Sequence, residues 1–466
     1  MAAAIDGAFE GAYWVRLLFQ RGLAGIYLIA FVNVLRQFRP LLGEHGLLPV
    51  PRYLQRVSFW HAPSVFHLGY SDRALLVVGW SGVVLACVAL SGLSEASSFG
   101  VSLAVWLGLW VLYQSIVNVG QTFYGFGWES MLLEAGFFAM FLGPSSTAPS
   151  TIPILALRWM LFRTELGAGL IKLRHDQCWR DLTCLYYHHE TQPLPNPLSV
   201  YFHRLPKAML RGGVAFSHFV QVVAPFGLFM PQPVASIAGA LIIGHQLILI
   251  VSGNYAWLNW LTVVLGITAF SDATLLLDTP QLAARGLAQD VVLYVLAAVT
   301  LTLSVKPALN LFSKHQLMNY SFNPLHVINA YGAFGSVTRE RREVVLEGSS
   351  DGASWQAYEL YGKPGDPKRT PRQVAPYHLR LDWLLWFVPL GGGRQDRWLD
   401  ELAEKLLEGD RAVGKLFRVN PFRDQPPKVV RARLYRYAFA NREEKQASGA
   451  YWKRTLVRDL FEVGQA

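Results

Sequence analysis

The sequence predicts a polytopic α-helical membrane protein with about seven to nine spans, followed by a soluble C-terminal domain of the β-rich α+β class. The chain of 466 residues is 52% hydrophobic and has a mean hydropathy of +0.26, which is more apolar than a typical soluble protein. Residues 1–319 carry 18 Lys and Arg with 14 Asp and Glu, whereas the shorter stretch 320–466 carries 24 and 18. This change in charge density predicts a transmembrane helical domain at 1–319 and a soluble domain at 320–466.

Nine apolar segments are candidates to cross a bilayer, which takes about 20 mostly apolar residues. Several of them are short or interrupted by Gly and Pro, so the expected number of spans is seven to nine. The fourth segment is too short to cross upright, and we expect it either to re-enter or to begin further back. The nine segments are 17–35, 74–93, 100–118, 129–143, 153–171, 214–230, 234–252, 254–270 and 289–312.

After residue 320 the pattern changes to the partial alternation of short strands. SSDG at 349–352 supplies a hairpin turn, and WLDELAEKLLEGD (398–410) predicts an amphipathic helix that ends at Gly409. LDWLLWFVPL (381–390) is compatible with a strand or with a segment that lies on a surface. We expect a sandwich-like unit. Its predicted strands are 330–337, 342–348, 354–362 and 429–439.

The net charge of +10 fits a protein beside anionic lipid, and it also occurs in proteins that bind nucleic acid. The apolar segments dominate the chain and no nucleic-acid motif is present, so we predict membrane lipid as a partner and no nucleic acid. The first apolar segment is followed by Arg36 and Arg39 rather than by a small-residue cleavage site. This predicts a retained anchor rather than a cleaved signal peptide.

Six charged residues lie in or at the ends of the apolar segments, where charge is costly and usually faces a partner or a cavity. One hypothesis is a polar cavity between helices. The other is a set of ion pairs that lock the helices together, because breaking such a pair leaves an uncompensated charge. The predicted intramembrane polar cluster consists of Glu129, Glu134, Arg158, Arg163, Glu165 and Lys172.

Two polar loops are long, at 36–73 and 172–213. The second contains Cys178 and Cys184, whose five intervening residues match neither a redox dithiol nor a zinc site. The spacing is compatible with a local disulfide in an oxidising compartment and also with two free thiols. No metal and no cofactor are predicted.

The second loop is open to two interpretations. His188, His189 and Glu190 could supply a general base, yet no nucleophile elbow, zinc-binding helix or phosphate-binding loop accompanies them. A recognition surface is the favoured interpretation, because Trp, Arg and Tyr are the side chains that anchor interfaces. The predicted functional loop consists of Cys178, Trp179, Arg180, Asp181, Cys184, Tyr186 and Tyr187.

Several long strings, in order along nearly the whole chain, resemble the lipase maturation factor family. They are GAGLIKLRHDQCWRDLTCLYYHHETQPLPNP (167–197), WESMLLEAGFFAMFLGP (128–144), INAYGAFGSVTRERREVVLEGSSDG (328–352), RLDWLLWF (380–387), LLEGD (406–410) and NPFRDQPPKVVRARLYRY (420–437). Their length makes the resemblance far more specific than a short motif. A remoter similarity links the helical domain to the superfamily of the vitamin K-dependent carboxylase, and it bears on architecture only.

The resemblance implies a membrane-embedded, chaperone-like folding or maturation factor for exported proteins, with lipase-like hydrolases as clients. The loop at 172–204 and the domain from 320 onward would then contact the client. Eukaryotic members sit in the endoplasmic reticulum, and a bacterial member, which this chain resembles, would sit in the cytoplasmic membrane. The family supplies no catalytic residue to carry over. The alternative is a membrane enzyme that modifies a lipid or a peptide in an intramembrane polar cavity.

Two criteria for sidedness disagree. The loops 36–73 and 172–213 carry five and six Lys or Arg, respectively. With nine spans, both loops lie on the same side of the membrane as the C-terminal domain. The positive-inside rule places loops rich in Lys and Arg, and therefore this side, in the cytoplasm. The resemblance implies that the second loop and the C-terminal domain are extracytoplasmic. We favour the resemblance, because long domains translocate largely regardless of charge and a factor for exported clients has to face them.

Overall fold

The protein is described by a computed structural model, which covers residues 11–391 and 397–464. The described residues before 313 form a helical body. Two short 3₁₀ helices lie at Val65–Leu68 and Gln121–Tyr124, and a π-helical turn lies at Phe219–Val223. The α-helices of the body are α1 Tyr13–Leu42, α2 Val50–Leu54, α3 Asp72–Ser91, α4 Phe99–Val119, α5 Gly127–Ala139, α6 Thr151–Arg174, α7 Gln177–Arg180, α8 Leu185–Thr191, α9 Ser199–His203, α10 Lys207–His218, α11 Ala224–Gly227, α12 Val234–Ser252, α13 Leu258–Ile267 and α14 Leu287–Phe312.

Five helices of the described part, α1, α3, α4, α12 and α14, are long and apolar enough to cross a membrane. They coincide with five of the nine predicted segments, and they make the chain an integral membrane protein. The predicted count of seven to nine spans is not confirmed. The segments at 129–143 and 254–270 form helices of only 13 and 10 residues, and the segment at 214–230 is divided by the π-helical turn.

The fifth segment, at 153–171, forms the long helix α6, which lies inside the body rather than at its surface. Eighteen of its 24 residues are buried, including Arg158, Arg163 and Glu165. Helices α5, α13 and α14 pack against it. Because Arg158 and Arg163 meet protein groups rather than lipid, α6 can be less apolar than a helix that faces lipid.

The long polar loops and the C-terminal region meet at one end of the helical body, which we call the polar end. There the Asn33 and Gln37 side-chain amides of α1 donate to the carbonyl of His378, at 2.5 and 2.7 Å. At the opposite end the N-terminus of α1 is capped by Asp272, which accepts from the backbone N–H of Tyr13 at 2.8 Å. The C-terminal region therefore contacts the end of the helical body at which α1 leads into the first polar loop.

The described residues of the C-terminal region form one four-stranded antiparallel sheet in the order β2 (Gln356–Tyr358), β1 (Arg341–Ser349), β3 (Val429–Phe439) and β4 (Trp452–Gly464). The SSDG turn joins β1 to β2, and Val344 of β1 lies opposite Leu434 of β3. Leu399 and Leu402 of the amphipathic helix α16 are buried, and that helix packs on β3 and β4. The elements are β1 Arg341–Ser349, β2 Gln356–Tyr358, α15 Arg380–Phe387, α16 Arg397–Leu407, α17 Arg411–Gly414, β3 Val429–Phe439, α18 Arg442–Ser448 and β4 Trp452–Gly464.

Three expectations for this region are wrong. Among the described residues the strands form a single sheet and not a sandwich. Residues 330–337 form no strand, because Tyr331 turns into the helical body and donates to Glu134 at 2.7 Å. The segment 381–390 is neither a strand nor a surface segment, because most of it belongs to the helix Arg380–Phe387, whose residues 380–385 are buried. The strand at 429–439 is confirmed to the residue. The domain division at 319/320 stays a prediction.

Candidate functional site at the polar end

A disulfide joins Cys178 and Cys184 within the second polar loop, with their Cα atoms 4.8 Å apart. Both cysteines are almost fully buried. Asp176 caps the short helix α7, since its carboxylate accepts from the backbone N–H of Cys178 at 3.0 Å. The loop is therefore a closed, packed unit. The spacing is compatible with a disulfide or with two free thiols, and the structure has the disulfide.

Asp176 also ties this unit to the segment that leads into the sheet. Its carboxylate accepts from the Arg339 guanidinium at 2.8 and 3.2 Å and from the backbone N–H of Val337 at 3.1 Å. Partial burial opposes ionisation, but these hydrogen bonds outweigh it and lower the pKa of Asp176 to about 2. The contact is thus an ion pair throughout the physiological pH range.

A second tie runs from β1 to the proline-rich part of the loop. The guanidinium of Arg341 is buried and donates to the carbonyls of Glu190, Gln192 and Pro193, at 3.0 Å for the first and 2.9 Å for the last. Glu343, which pairs with Arg341 at 2.5 Å, balances its charge. The planar fork of Arg suits three diverging acceptors better than a Lys ammonium would.

Trp179 is not the exposed anchor that the sequence suggests. Its side chain is only 3% exposed, and its Nε1 donates to the carbonyl of Phe334 at 2.9 Å. The Lys172 ammonium lies 4.8 Å from the centre of its ring, a distance at which a cation–π interaction stabilises both groups. In contrast, Arg180 and Asp181 are exposed.

Tyr186 and Tyr187 are half-buried under cations. Lys207 lies 5.7 Å from the ring centre of Tyr186, and Arg339 lies 4.9 Å from that of Tyr187. Each tyrosine therefore offers only part of its ring to a partner.

The candidate general bases are tied into the fold. His188 Nε2 lies 2.8 Å from the hydroxyl of Tyr255, and burial, together with the nearby charge of Lys172, lowers the pKa of His188 to about 4. Burial also lowers the pKa of His189 well below its usual range. Glu190 accepts from the backbone N–H of Phe439 at 2.7 Å and so holds the end of β3. The lowering of the pKa of both imidazoles moves them away from the value near 7 that suits a general base.

The predicted charged cluster divides into separate arrangements. Arg163 forms an ion pair with Glu134, and Glu134 also accepts from the backbone N–H of Asn329 at 2.8 Å and from the Tyr331 hydroxyl. All four side chains are buried. This part of the cluster is an ion-paired lock between α5, α6 and the segment before the sheet.

A second lock contains Glu129, whose carboxylate accepts from Arg380 at 2.8 Å and also from the Tyr113 hydroxyl. His378 Nδ1 lies 3.5 Å from the same carboxylate. Burial, together with the charge of Arg380, lowers the pKa of His378 to about 4, so this imidazole is neutral near pH 7. Arg158 has a different role, because its guanidinium donates to the carbonyls of Thr268 and Leu228, at 2.7 and 3.1 Å.

Glu165 and Lys172 instead line a cavity of about 900 Å³ at the polar end, which we call the interface cavity. Glu165 accepts from Gln246 at 2.7 Å and from Gln221 at 3.2 Å, and Gln221 accepts from the Lys172 ammonium at 2.7 Å. Trp179, His188 and His189 line the same cavity. The lock hypothesis thus describes one part of the cluster and the cavity hypothesis describes the other.

Sequence reasoning missed the residues that join the C-terminal region to the helices. Asn329, Arg341 and Arg380 each complete a buried polar contact described above. All three lie inside the family-specific strings at 328–352 and 380–387, and this was the available signal. Gln221 and Gln246 lie on apolar segments without a comparable signal.

Together these features define a polytopic helical membrane protein whose C-terminal, sheet-containing region is locked onto the polar end of its helices. Two family models match the chain in the same order. The lipase maturation factor transmembrane domain matches residues 14–277, and the lipase maturation factor C-terminal domain matches residues 327–462. The chain belongs to the lipase maturation factor family, as the sequence strings predict.

Curated relatives align along almost the whole chain. Lipase maturation factor 1 of Bos taurus is 40% identical over 499 residues, and the alignment covers 97% of this chain and 89% of the bovine protein. Lipase maturation factor 1 of Mus musculus is 41% identical, and the alignment covers 97% of this chain and 87% of the mouse protein. Lipase maturation factor 2 of Gallus gallus is 29% identical, covering 96% and 80%. No solved structure matches the chain. The matches do not support the enzymatic alternative, and the bacterial source and the carboxylase likeness stay predictions.

Proposed function

We propose that this chain is a membrane-embedded maturation factor for exported lipases. The observation that carries the proposal is the alignment of 97% of the chain with proteins named lipase maturation factor 1 at 40% identity. Such a factor works by binding the assembly-competent state of its client more tightly than other states, which shifts the population toward that state. This action requires a binding surface and no chemistry on the client.

The client surface that we propose is the exposed part of the second polar loop. Arg180 and Asp181 supply charge there, while Leu198 and Tyr201 are 45% and 64% exposed. Large apolar side chains exposed among polar ones mark interaction sites. We call these four residues the client face. The disulfide and the Arg341 contacts would hold this face in shape before a client arrives, which lowers the entropic cost of binding.

The proposed action is not enzymatic. His188 and His189 are buried imidazoles with depressed pKa values, and the Glu190 carboxylate is engaged by a backbone N–H. A general base that acts on a substrate must be accessible and must have a pKa near the working pH. The residues that the sequence offers for catalysis are therefore better explained as packing partners of the sheet and the loop.

Sidedness is the first experimental question, and we propose that the polar end is extracytoplasmic. Because Cys178 and Cys184 are buried in a disulfide, labelling of the natural cysteines would report on burial as well as on location. Exposed positions avoid this problem. Arg180→Cys at the polar end should react with a membrane-impermeant maleimide in intact cells, in a Cys87→Ser background. Leu93→Cys, exposed at the opposite end, should react only after lysis. The reverse pattern would contradict the proposed function.

The client face is tested by secretion of an active lipase from cells that lack their own maturation factor. The double variant Leu198→Ser/Tyr201→Ser should lower the activity per mass of secreted lipase by about fivefold or more, because a combined loss of about 1 kcal/mol of binding free energy corresponds to about a fivefold change. Leu276→Ser is the matched control, since Leu276 is 92% exposed at the opposite end of the body. Equal lipase activity with both variants would remove the client face from the proposal.

A further inference from the structure

The interface cavity lies at the polar end of the helical body. Its walls come from the first turns of α5 and α13, the C-terminal half of α6 and the last turns of α12. All of these helix ends lie at the polar end of the body. A volume of about 900 Å³ is at the upper end of the range typical of sites for small molecules.

One opening of the cavity has an apolar rim. Ile248 is 45% exposed on the candidate span α12, and Met209 is 58% exposed on α10. Both residues also line the cavity. An exposed apolar side chain on a span faces hydrocarbon, so the cavity is continuous with a surface from which an acyl chain can enter sideways.

The inner wall is polar and contains both charged residues of α6. Glu165 and Lys172 are seven residues apart, which places them on one face of the helix. The two oxygens of Glu165 are already occupied by the amide donors of Gln246 and Gln221. Gln246 in turn accepts from Asn259 at 2.5 Å. Each oxygen of the acidic side of this wall therefore already has a protein donor.

The basic side of the wall is not saturated. Among the described residues, the Lys172 ammonium has one hydrogen bond, to Gln221, besides its contact with the Trp179 ring. An ammonium has three N–H donors. Nδ1 of His189 and Nδ1 of His245 are buried without a hydrogen-bond partner in the described chain, and both residues line the cavity. Unpaired polar groups of this kind cost free energy unless a ligand satisfies them.

We propose that the interface cavity binds an anionic amphiphile, whose carboxylate or phosphate head pairs with Lys172 while its acyl chain runs out past Ile248. Charge-assisted hydrogen bonds from an ammonium to an oxyanion are among the strongest in a buried site. The aromatic residues of the lining, which include Trp128, Trp383 and Trp386, suit the first part of an acyl chain. A free fatty acid and an acidic phospholipid share this chemistry. The proposal does not depend on a lipase client.

The test uses the full-length protein, purified in a non-ionic detergent, and two photoactivatable probes. One is palmitate with a diazirine in its chain, and the other is phosphatidylglycerol with the same label. After irradiation, peptide mapping should find the label on α6, α10 or α12 beside the cavity. The probe that labels at the lower concentration identifies the head, carboxylate or phosphate. Labelling by both probes only on the outer faces of α3 and α14 would overturn the proposal.

Competition tests the charge of the head in the unaltered protein. Unlabelled palmitate, or phosphatidylglycerol for the second probe, should abolish labelling in the cavity. Methyl palmitate and monopalmitoyl glycerol carry the same chain without an anion, so they should compete at least about tenfold less well, as expected for loss of a charged hydrogen bond. Equal competition by the neutral compounds would refute the role of an anion. This measurement requires no variant to fold.

Lys172→Met keeps the length and the apolar stem of the side chain and removes the charge. It should reduce cavity labelling about tenfold or more at equal protein recovery. Lys306→Met is the matched control, because Lys306 is an exposed lysine on the candidate span α14. Labelling that survives in Lys172→Met, or that falls equally in both variants, would refute the assignment of Lys172.

Discussion

Arg380 donates to Glu129 across 251 positions of sequence, at a distance of 2.8 Å between Nη1 and Oε1. Both side chains are completely buried. The guanidinium also lies over the ring of Tyr124, 3.4 Å from its centre, and donates to the carbonyl of Phe123 at 2.8 Å. The C-terminal region is thus fixed to the helices by a buried ion pair.

Loss of this pair should destabilise the whole protein. Arg380→Met leaves the Glu129 carboxylate buried without its cation, which we expect to cost about 3–5 kcal/mol of the free energy of unfolding. Thermal unfolding of the purified protein in detergent measures the change. Arg397→Met breaks the exposed pair with Glu401 and should cost less than about 1 kcal/mol. Similar unfolding temperatures for the two variants would contradict the lock.

The contacts of Arg341 should control the shape of the loop rather than global stability alone. Arg341→Lys retains the charge opposite Glu343 but cannot reach three carbonyls with one planar fork. We expect the proline-rich part of the loop, 192–197, to become sensitive to limited proteolysis, and lipase maturation to fall with it. The neighbouring Arg342→Lys, at an exposed position of the same strand, is the control. Unchanged proteolysis in Arg341→Lys would show that the fork is dispensable.

The ion pair between Asp176 and Arg339 should stop stabilising the protein only in acid. Its pKa is lowered to about 2 in the folded protein, against about 3.9 for an unfolded chain. A group whose folded pKa is depressed stabilises the protein fully above the unfolded pKa, and this contribution disappears as the pH falls through the folded pKa. The difference in unfolding temperature between the wild type and Asp176→Asn should be constant from pH 8 to 5 and shrink between about pH 4 and 2. A difference that is independent of pH throughout would mean that the carboxylate charge contributes nothing.

Trp179→Ala should reduce the amount of this protein as well as the activity of its client. The sequence alone predicts an exposed anchor, for which abundance would not change, but the side chain is 3% exposed. Removing a buried Trp costs about 3–5 kcal/mol. Trp60→Ala is the control, because Trp60 is 80% exposed in the first polar loop. Normal abundance and unfolding temperature for Trp179→Ala would restore the interpretation as a surface anchor.

The helical positions were largely predictable because their patterns are local. Five apolar segments appear as candidate spans, and the alternation at 429–439 gives a strand with the same bounds. The nearness of Cys178 and Cys184 in sequence made a disulfide one of two options. In each case the signal is carried by neighbours in the chain, through hydrophobic periodicity or short loop closure.

The sequence by itself determined the family, the membrane-embedded class and the order of helical body and sheet region, since each follows from composition, periodicity and long specific strings. Only the tertiary structure decided which charges form locks and which line a cavity. Glu134 and Glu165 are both acidic residues of apolar segments, yet one pairs with Arg163 and the other with the amides of Gln221 and Gln246. The cost of burying a charge depends on the groups that surround it in space, and those groups come from distant parts of the chain.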